Sequence, residues 1–113
     1  MTARAPSRAA VEQALGELGE FGSSDQLARF LEGEGCRGRQ GDLWRCPIAV
    51  WLRRRVGLAE VDAWTLTVGE DDQVRVYSPT QGHLLDQVPL PSVALSFMAL
   101  FDDGRFPQLL GGG

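Results

Sequence analysis

Apolar residues recur at intervals of three and four positions in four segments of the chain, which is the spacing of one buried face on an α-helix. Ser7, Ser23 and the Cys46-Pro47 pair precede the first three segments, and Ser92 precedes the last. Serine is a favoured N-cap, and proline is favoured at the first helical position. We expect helices that end near residues 19, 33–35, 57 and 102. Their predicted inward-facing residues are Val11, Ala14, Leu15 and Leu18; Leu27, Phe30 and Leu31; Ile48, Trp51, Leu52 and Val56; and Ala94, Phe97, Met98 and Phe101.

Between residues 62 and 88 the hydrophobic period changes to two, which is typical of β-strands. Three such stretches, at 62–68, 74–77 and 83–88, are separated by acidic or Pro- and Gly-containing turns. Because the turns are short, an antiparallel three-stranded meander is the economical arrangement. The sequence therefore predicts an α+β fold of three N-terminal helices, a small antiparallel meander and one C-terminal helix.

The length of 113 residues and the hydrophobic fraction of 43% fit one domain. We expect a single α+β domain over residues 1–110, with Phe106, Leu109 and Leu110 folded back on the core. Residues 111–113 are expected to form a flexible glycine tail. No apolar run reaches the roughly 18–20 residues of a membrane span, and residues 1–6 lack the apolar core of a secretory signal. These features predict a cytoplasmic protein without membrane contact.

The motifs of common enzymes are missing from the chain. There is no Gly-x-Ser-x-Gly, no phosphate-binding Gly-Lys-Ser/Thr and no dinucleotide fingerprint. Zinc-binding spacings such as Cys-x₂-Cys or His-x₃-His are missing too. We therefore expect a protein that is not an enzyme, with no catalytic residues, no cofactor and no metal site.

The charge distribution is strongly uneven. Residues 36–58 hold six of the eleven arginines and a single acid, Asp42, so this basic stretch carries a formal charge of +5. The other residues carry −9, which gives the net charge of −4. Because the imbalance is confined to one part of the chain, this stretch is the strongest candidate for a binding surface.

The leading hypothesis is a regulatory or adaptor domain that binds an acidic protein partner, or a second copy of itself, through the basic Cys36–Arg55 surface. Arginine and tryptophan dominate the binding energy of many protein interfaces. The alternative is nucleic-acid binding, in which arginines grip phosphates and an indole stacks on a base, although the acidic total charge argues against it. Cations in a last helical turn also stabilise the helix itself. The candidate partner-binding residues are Arg37, Arg39, Trp44, Arg45, Arg53 and Arg54.

A second alternative is thiol-based redox chemistry at Cys46. A cysteine at a helix N-cap, with arginines nearby, has the features that lower a thiol pKa. The opposing interpretation is that Cys46 is a small buried residue, which is the common fate of free cysteines. Cys36 is the second possible reactive thiol. Because nine residues separate the two cysteines, they do not form a Cys-x-x-Cys redox motif.

Two groups of residues carry a resemblance to a protein family. The first is Gly38-Arg39 followed by the run from Cys46 to Leu52, and the second is Val88-Pro89-Leu90-Pro91 followed by Phe97 and the run from Phe101 to Pro107. Together they resemble small uncharacterised actinobacterial proteins with a Cys-Pro-hydrophobic-Ala helix start and a C-terminal Phe-Asp-x-Gly-Tyr/Phe-Pro turn. The resemblance implies a bacterial source and assigns no catalytic residue.

Overall fold

The computed structural model describes residues 7–40, 46–57, 66–68, 73–78 and 81–111. Three helices precede three strands, and a fourth helix and a short 3₁₀ turn follow them. This order confirms the predicted α+β fold. The elements are α1 (Arg8–Gly19), α2 (Ser24–Gly33), α3 (Pro47–Arg55), β1 (Leu66–Val68), β2 (Gln73–Tyr77), β3 (Leu84–Pro89), α4 (Ser92–Asp102) and the 3₁₀ turn Pro107–Leu109.

The first three helices begin at the predicted N-caps. The hydroxyl of Ser7 accepts the Ala10 N–H at 3.1 Å, and that of Ser23 accepts the Gln26 N–H at 3.2 Å. At α3 the Cys46 Sγ accepts the Ala49 N–H at 3.4 Å, directly before Pro47 at the first helical position. Each cap pairs an N–H group that has no acceptor within its helix.

The fourth helix begins one residue earlier than predicted, because its N-cap is Pro91 and not Ser92. Pro91 has the extended backbone of an N-cap, with φ −66° and ψ 152°. Its carbonyl accepts the N–H groups of Ala94 at 3.0 Å and Leu95 at 3.2 Å. Ser92 is therefore the first helical residue, and the cap makes no side-chain hydrogen bond.

The strands form an antiparallel sheet in the order β1-β2-β3, as predicted for a meander. Leu66 pairs with Val76, and Val74 lies between Val68 and Val88 in the register. These five residues form the buried face of the sheet, where α3 packs against β1 and α1 against β3. Thr67 is buried as well, so β1 does not show the predicted alternation of buried and exposed residues.

The residues after α4 return to the core. Phe106 stacks on Phe97 with ring centroids 5.2 Å apart, and Leu109 is fully buried. Leu110, in contrast, is 39% exposed, so the prediction that it packs in the core is wrong. Leu109 ends the 3₁₀ turn and points inward, and the extended backbone at Leu110 turns the next side chain outward.

Candidate partner-binding surface

The described part of the basic stretch between α2 and α3 is a short extended segment, residues 36–40, called here the arginine segment. Gly35, with φ +70°, reverses the chain after α2, and the Cys36 N–H then donates to the Leu31 carbonyl at 2.9 Å. Only glycine adopts such a φ without steric strain. From residue 36 to residue 39 buried and exposed residues alternate, so Cys36 and Gly38 face the core while Arg37 and Arg39 face solvent.

The C-terminal residues hold the arginine segment on one side. The Gly38 N–H donates to the Leu109 carbonyl at 2.8 Å, and the Gly111 N–H donates to the Gly38 carbonyl at 3.2 Å. These bonds form a parallel bridge between Gly38 and Leu110. The predicted flexible tail thus includes a hydrogen-bonded residue, Gly111, while Gly112 and Gly113 lie outside the described residues.

Gly111 also lies tightly against the first arginine of the segment. A Cβ atom at this position would stand 3.0 Å from the Arg37 Cδ and 3.3 Å from its Cβ. Distances this short force the neighbouring side chain to move. The glycine therefore allows the aliphatic stem of Arg37 to lie across the tail.

Gln40 fixes the far end of the segment. Its Nε2 donates to the carbonyls of Phe101 at 3.0 Å and Asp102 at 3.2 Å, at the C-terminus of α4. The carbonyls of a last helical turn have no N–H donor within the helix, so the Gln40 side chain acts as a cap. Gln40 was not among the predicted site residues, because a contact across 61 positions leaves no local pattern in the sequence.

Arg53 is not on the surface, and its predicted role in partner binding needs correction. The residue is only 8% exposed, on a helix whose buried residues also include Pro47 and Ala49, outside the expected stripe. Helix α3 contacts α1, α2 and β1, so its nine residues are covered on more than one face. The prediction assumed a single buried stripe and therefore left Arg53 outside the core.

Arg54 lies at the surface, but its guanidinium is used within the protein. Its Nη1 donates to the Glu34 carbonyl at 3.2 Å and lies 3.6 Å from the Cys36 Sγ. Because Glu34 is the C-cap of α2, this contact joins the end of α2 to the end of α3. Arg55 makes a comparable link to α1, with 2.7 Å between its Nη2 and the Glu17 Oε2.

The six predicted partner-binding residues thus fall into three pairs. Arg37 and Arg39 lie exposed on the same segment, and Arg53 and Arg54 are buried or hydrogen-bonded to the chain itself. Trp44 and Arg45 lie outside the described residues. Among the described residues of this set, Arg37, Arg39 and Arg54 are exposed, and the arginine segment carries two of these three.

Both cysteines are free and buried. Burial raises the pKa of Cys46 to about 11, and this effect outweighs the opposing hydrogen bonds from the N–H groups of Ala49 and Ile48 and the charge of Arg53. Burial likewise raises the pKa of Cys36, against the lowering effect of Arg54. The N-cap position of Cys46 was predicted correctly, but the lowered pKa was not, because that argument left out the cost of burying a thiolate.

Among the described residues, no group of three or more His, Cys, Asp and Glu side chains lies close enough to hold a metal ion. Within the same ranges, no helix combines the length and apolar character of a membrane span. Comparisons with family models, curated proteins and solved structures give no match. The resemblance to small actinobacterial proteins accordingly stays a prediction.

Proposed function

We propose that this protein is a non-enzymatic regulatory or adaptor module that binds an acidic segment of a protein partner through Arg37 and Arg39. The observation that carries the proposal is the fixed backbone beneath two exposed arginines. Hydrogen bonds hold residues 36, 38 and 40 to three other parts of the fold: the last turn of α2, the C-terminal residues and the end of α4.

A fixed backbone matters because binding has an entropic cost. An exposed loop loses conformational freedom when a partner orders it, and this loss lowers the affinity. A segment that is already ordered loses less, so more of the free energy of its contacts contributes to binding. The alternation along the segment also places Arg37 and Arg39 on the same side, two positions apart. Their planar guanidinium groups suit carboxylates, which they bind with paired hydrogen bonds.

An acidic protein fits this surface better than a nucleic acid does. Arg53, Arg54 and Arg55 account for half of the arginines in the basic stretch, and each is buried or engaged within the fold. Exposed acids lie close to the segment, since Asp102 accepts from Gln40 through its carbonyl and Asp103 follows it. A continuous phosphate backbone would meet those carboxylates, whereas a protein segment need present only a few acidic side chains.

The cytoplasm is the proposed setting, because reducing pools there keep thiols such as Cys36 and Cys46 free. Thiol chemistry loses its physical support as an alternative function, since burial keeps Cys46 protonated at neutral pH.

The test compares two charge-matched double variants. Arg37→Glu with Arg39→Glu changes the proposed surface, and Arg8→Glu with Arg29→Glu changes the net charge equally at exposed positions elsewhere. Fluorescence anisotropy with a labelled polyglutamate peptide is the first measurement. We expect at least a tenfold loss of affinity in the first variant and less than a threefold change in the second.

Equal losses in the two variants would show a response to net charge and would contradict the proposal, as would no binding of the peptide by the unmodified protein. A single-stranded oligonucleotide, titrated with salt in the same assay, decides between the two ligand classes. Tighter binding to the oligonucleotide, with a log–log salt slope of about −1.4 from the two arginines, would favour nucleic acid.

A further inference from the structure

The C-terminal residues share a face with the exposed arginines of the arginine segment. The Gly38 N–H and carbonyl both bond to the C-terminal backbone, through the Leu109 carbonyl at 2.8 Å and the Gly111 N–H at 3.2 Å. This pairing is a parallel bridge. Because successive positions of paired extended segments alternate between two faces, the side-chain position of Gly111 lies on the face that carries Arg37 and Arg39. The C-terminal residues therefore border the proposed binding surface.

Gly111 leaves room there for the Arg37 side chain. A Cβ atom at Gly111 would lie 3.0 Å from the Arg37 Cδ, 3.3 Å from its Cβ and 3.7 Å from its Cγ. Three carbons of the arginine stem thus lie along the backbone of Gly111, in space that any other residue would fill. The Gly111 backbone is outside the left-handed region, so its conformation alone does not require glycine. What glycine provides at this position is the space for Arg37.

The backbone at this contact is anchored, whereas the arginine is not confined to the core. Leu109 is fully buried, and the two hydrogen bonds with Gly38 hold the chain at Leu109 and at Gly111. Arg37 is an exposed side chain with several rotatable bonds. If a larger residue replaced Gly111, the arginine stem would move and the anchored backbone would stay. Such a change should therefore alter how Arg37 is presented, with little cost to folding.

We infer that Gly111 is a positioning residue for Arg37 and that the C-terminal residues belong to the binding site. The inference rests on the proposed function, in which Arg37 and Arg39 bind carboxylates. A partner that binds a long, mobile side chain must order it, and this ordering lowers the affinity. The contact with Gly111 restricts the stem of Arg37 before a partner binds, so less of that loss remains.

The test enlarges residue 111 in two steps. Gly111→Ala adds one methyl group and Gly111→Val adds three carbons, while Leu110→Val places the same valine at the neighbouring exposed position as the control. The probe is the labelled polyglutamate peptide in fluorescence anisotropy. We expect the dissociation constant to rise about twofold in Gly111→Ala and about threefold to tenfold in Gly111→Val, the range for ordering one long side chain. Leu110→Val should change it by less than about twofold.

Urea denaturation separates a positioning role from a structural one. Because Arg37 moves and the fold does not, the midpoints of all three variants should stay within about 0.3 M of that of the unmodified protein. A lower midpoint for Gly111→Val together with unchanged affinity would show that Gly111 serves the fold alone, and would overturn the inference.

A double-mutant cycle tests whether Gly111 acts through Arg37. Arg37→Ala removes the stem, so adding Gly111→Val should weaken binding by less than about a further twofold. A further loss as large as that of Gly111→Val alone would overturn the inference. The cycle also distinguishes the two proposals. If Arg37→Ala leaves the affinity unchanged, the proposed function fails and the inference fails with it; if Arg37→Ala weakens binding and Gly111→Val does not, the inference alone fails.

Discussion

The arginines of α3 and those of the arginine segment belong to one basic stretch, but they have different roles. Arg53 is buried, and Arg54 and Arg55 bind atoms of α2 and α1. Arg37 and Arg39 lie exposed on a segment that hydrogen bonds of Cys36, Gly38 and Gln40 hold to the fold. Identical side chains close together in the sequence thus stabilise the fold at one site and lie exposed at the other.

This difference shows why a local count of charges overstates a binding surface. Three arginines at the end of a packed helix lie within reach of the neighbouring helix ends, whose carbonyls and carboxylates attract cations. The arginine segment follows a helix instead of ending one, and its two arginines lie on its exposed side. The formal charge of the stretch combines both groups, although they differ in how far the fold buries and binds them.

The largest expected effect comes from Arg53→Ala. This change removes a long side chain that is only 8% exposed, together with its aliphatic contacts and its charge interactions. We expect a loss of about 3 kcal/mol in the free energy of unfolding, measured by chemical denaturation. Arg37→Ala, at an exposed position, is the control and should change the stability by less than about 0.5 kcal/mol. Equal losses would remove the distinction between the two groups of arginines.

The thiols give a second test of the comparison between the two groups of arginines, because burial raises the pKa of each thiol while the positive charges of α3 lower it. If the charge of Arg53 dominated at Cys46, the thiol would be acidic; burial dominates instead and raises its pKa to about 11. At pH 8 we expect Cys46 in the folded protein to alkylate at least about a hundredfold more slowly than a model thiol, since the thiolate fraction is that much smaller. Mass spectrometry after timed alkylation measures the rate, and a rate equal to that of the model thiol would contradict the burial argument.

The same shift fixes the pH dependence of stability. The pKa of the Cys46 thiol is raised above its ordinary value of 9.0, so the folded state keeps a proton that the unfolded chain releases. This contribution to stability is fully present below pH 9 and is lost as the pH rises towards about 11. Chemical denaturation of the protein and of Cys46→Ala between pH 8 and pH 11 measures this loss. The difference between their free energies of unfolding should shrink as the pH rises.

The elements of the fold were predictable because their signals are local. Ser7, Ser23 and Cys46 mark the starts of the first three helices, and the change of period from residue 62 onwards predicts the sheet, whose first described strand begins at Leu66. Each signal depends on residues within a few positions of one another. The single misplaced helix start, at Ser92, arose because an extended proline already supplied the cap.

The site was less predictable because its geometry depends on distant contacts. The bond from Gln40 to the end of α4 and the bridge from Gly38 to Leu110 join parts of the chain far apart in sequence. Burial of Arg53 follows from the number of elements that surround α3, which no helical period reveals. The sequence located the basic stretch but could not separate its structural arginines from its exposed ones.

The smallest expected effect, and the closest test of the comparison, is at Arg54. Its side chain is exposed like that of Arg37, yet it donates to the Glu34 carbonyl at the end of α2. We expect Arg54→Ala to reduce the free energy of unfolding by about 1 kcal/mol, the typical value of one hydrogen bond, and Arg37→Ala to leave it within about 0.5 kcal/mol. Affinity for the acidic peptide should show the reverse order, with the larger loss in Arg37→Ala. If Arg54→Ala instead weakened peptide binding without a change in stability, Arg54 would belong to the binding surface, and the division between the two groups of arginines would have to be redrawn.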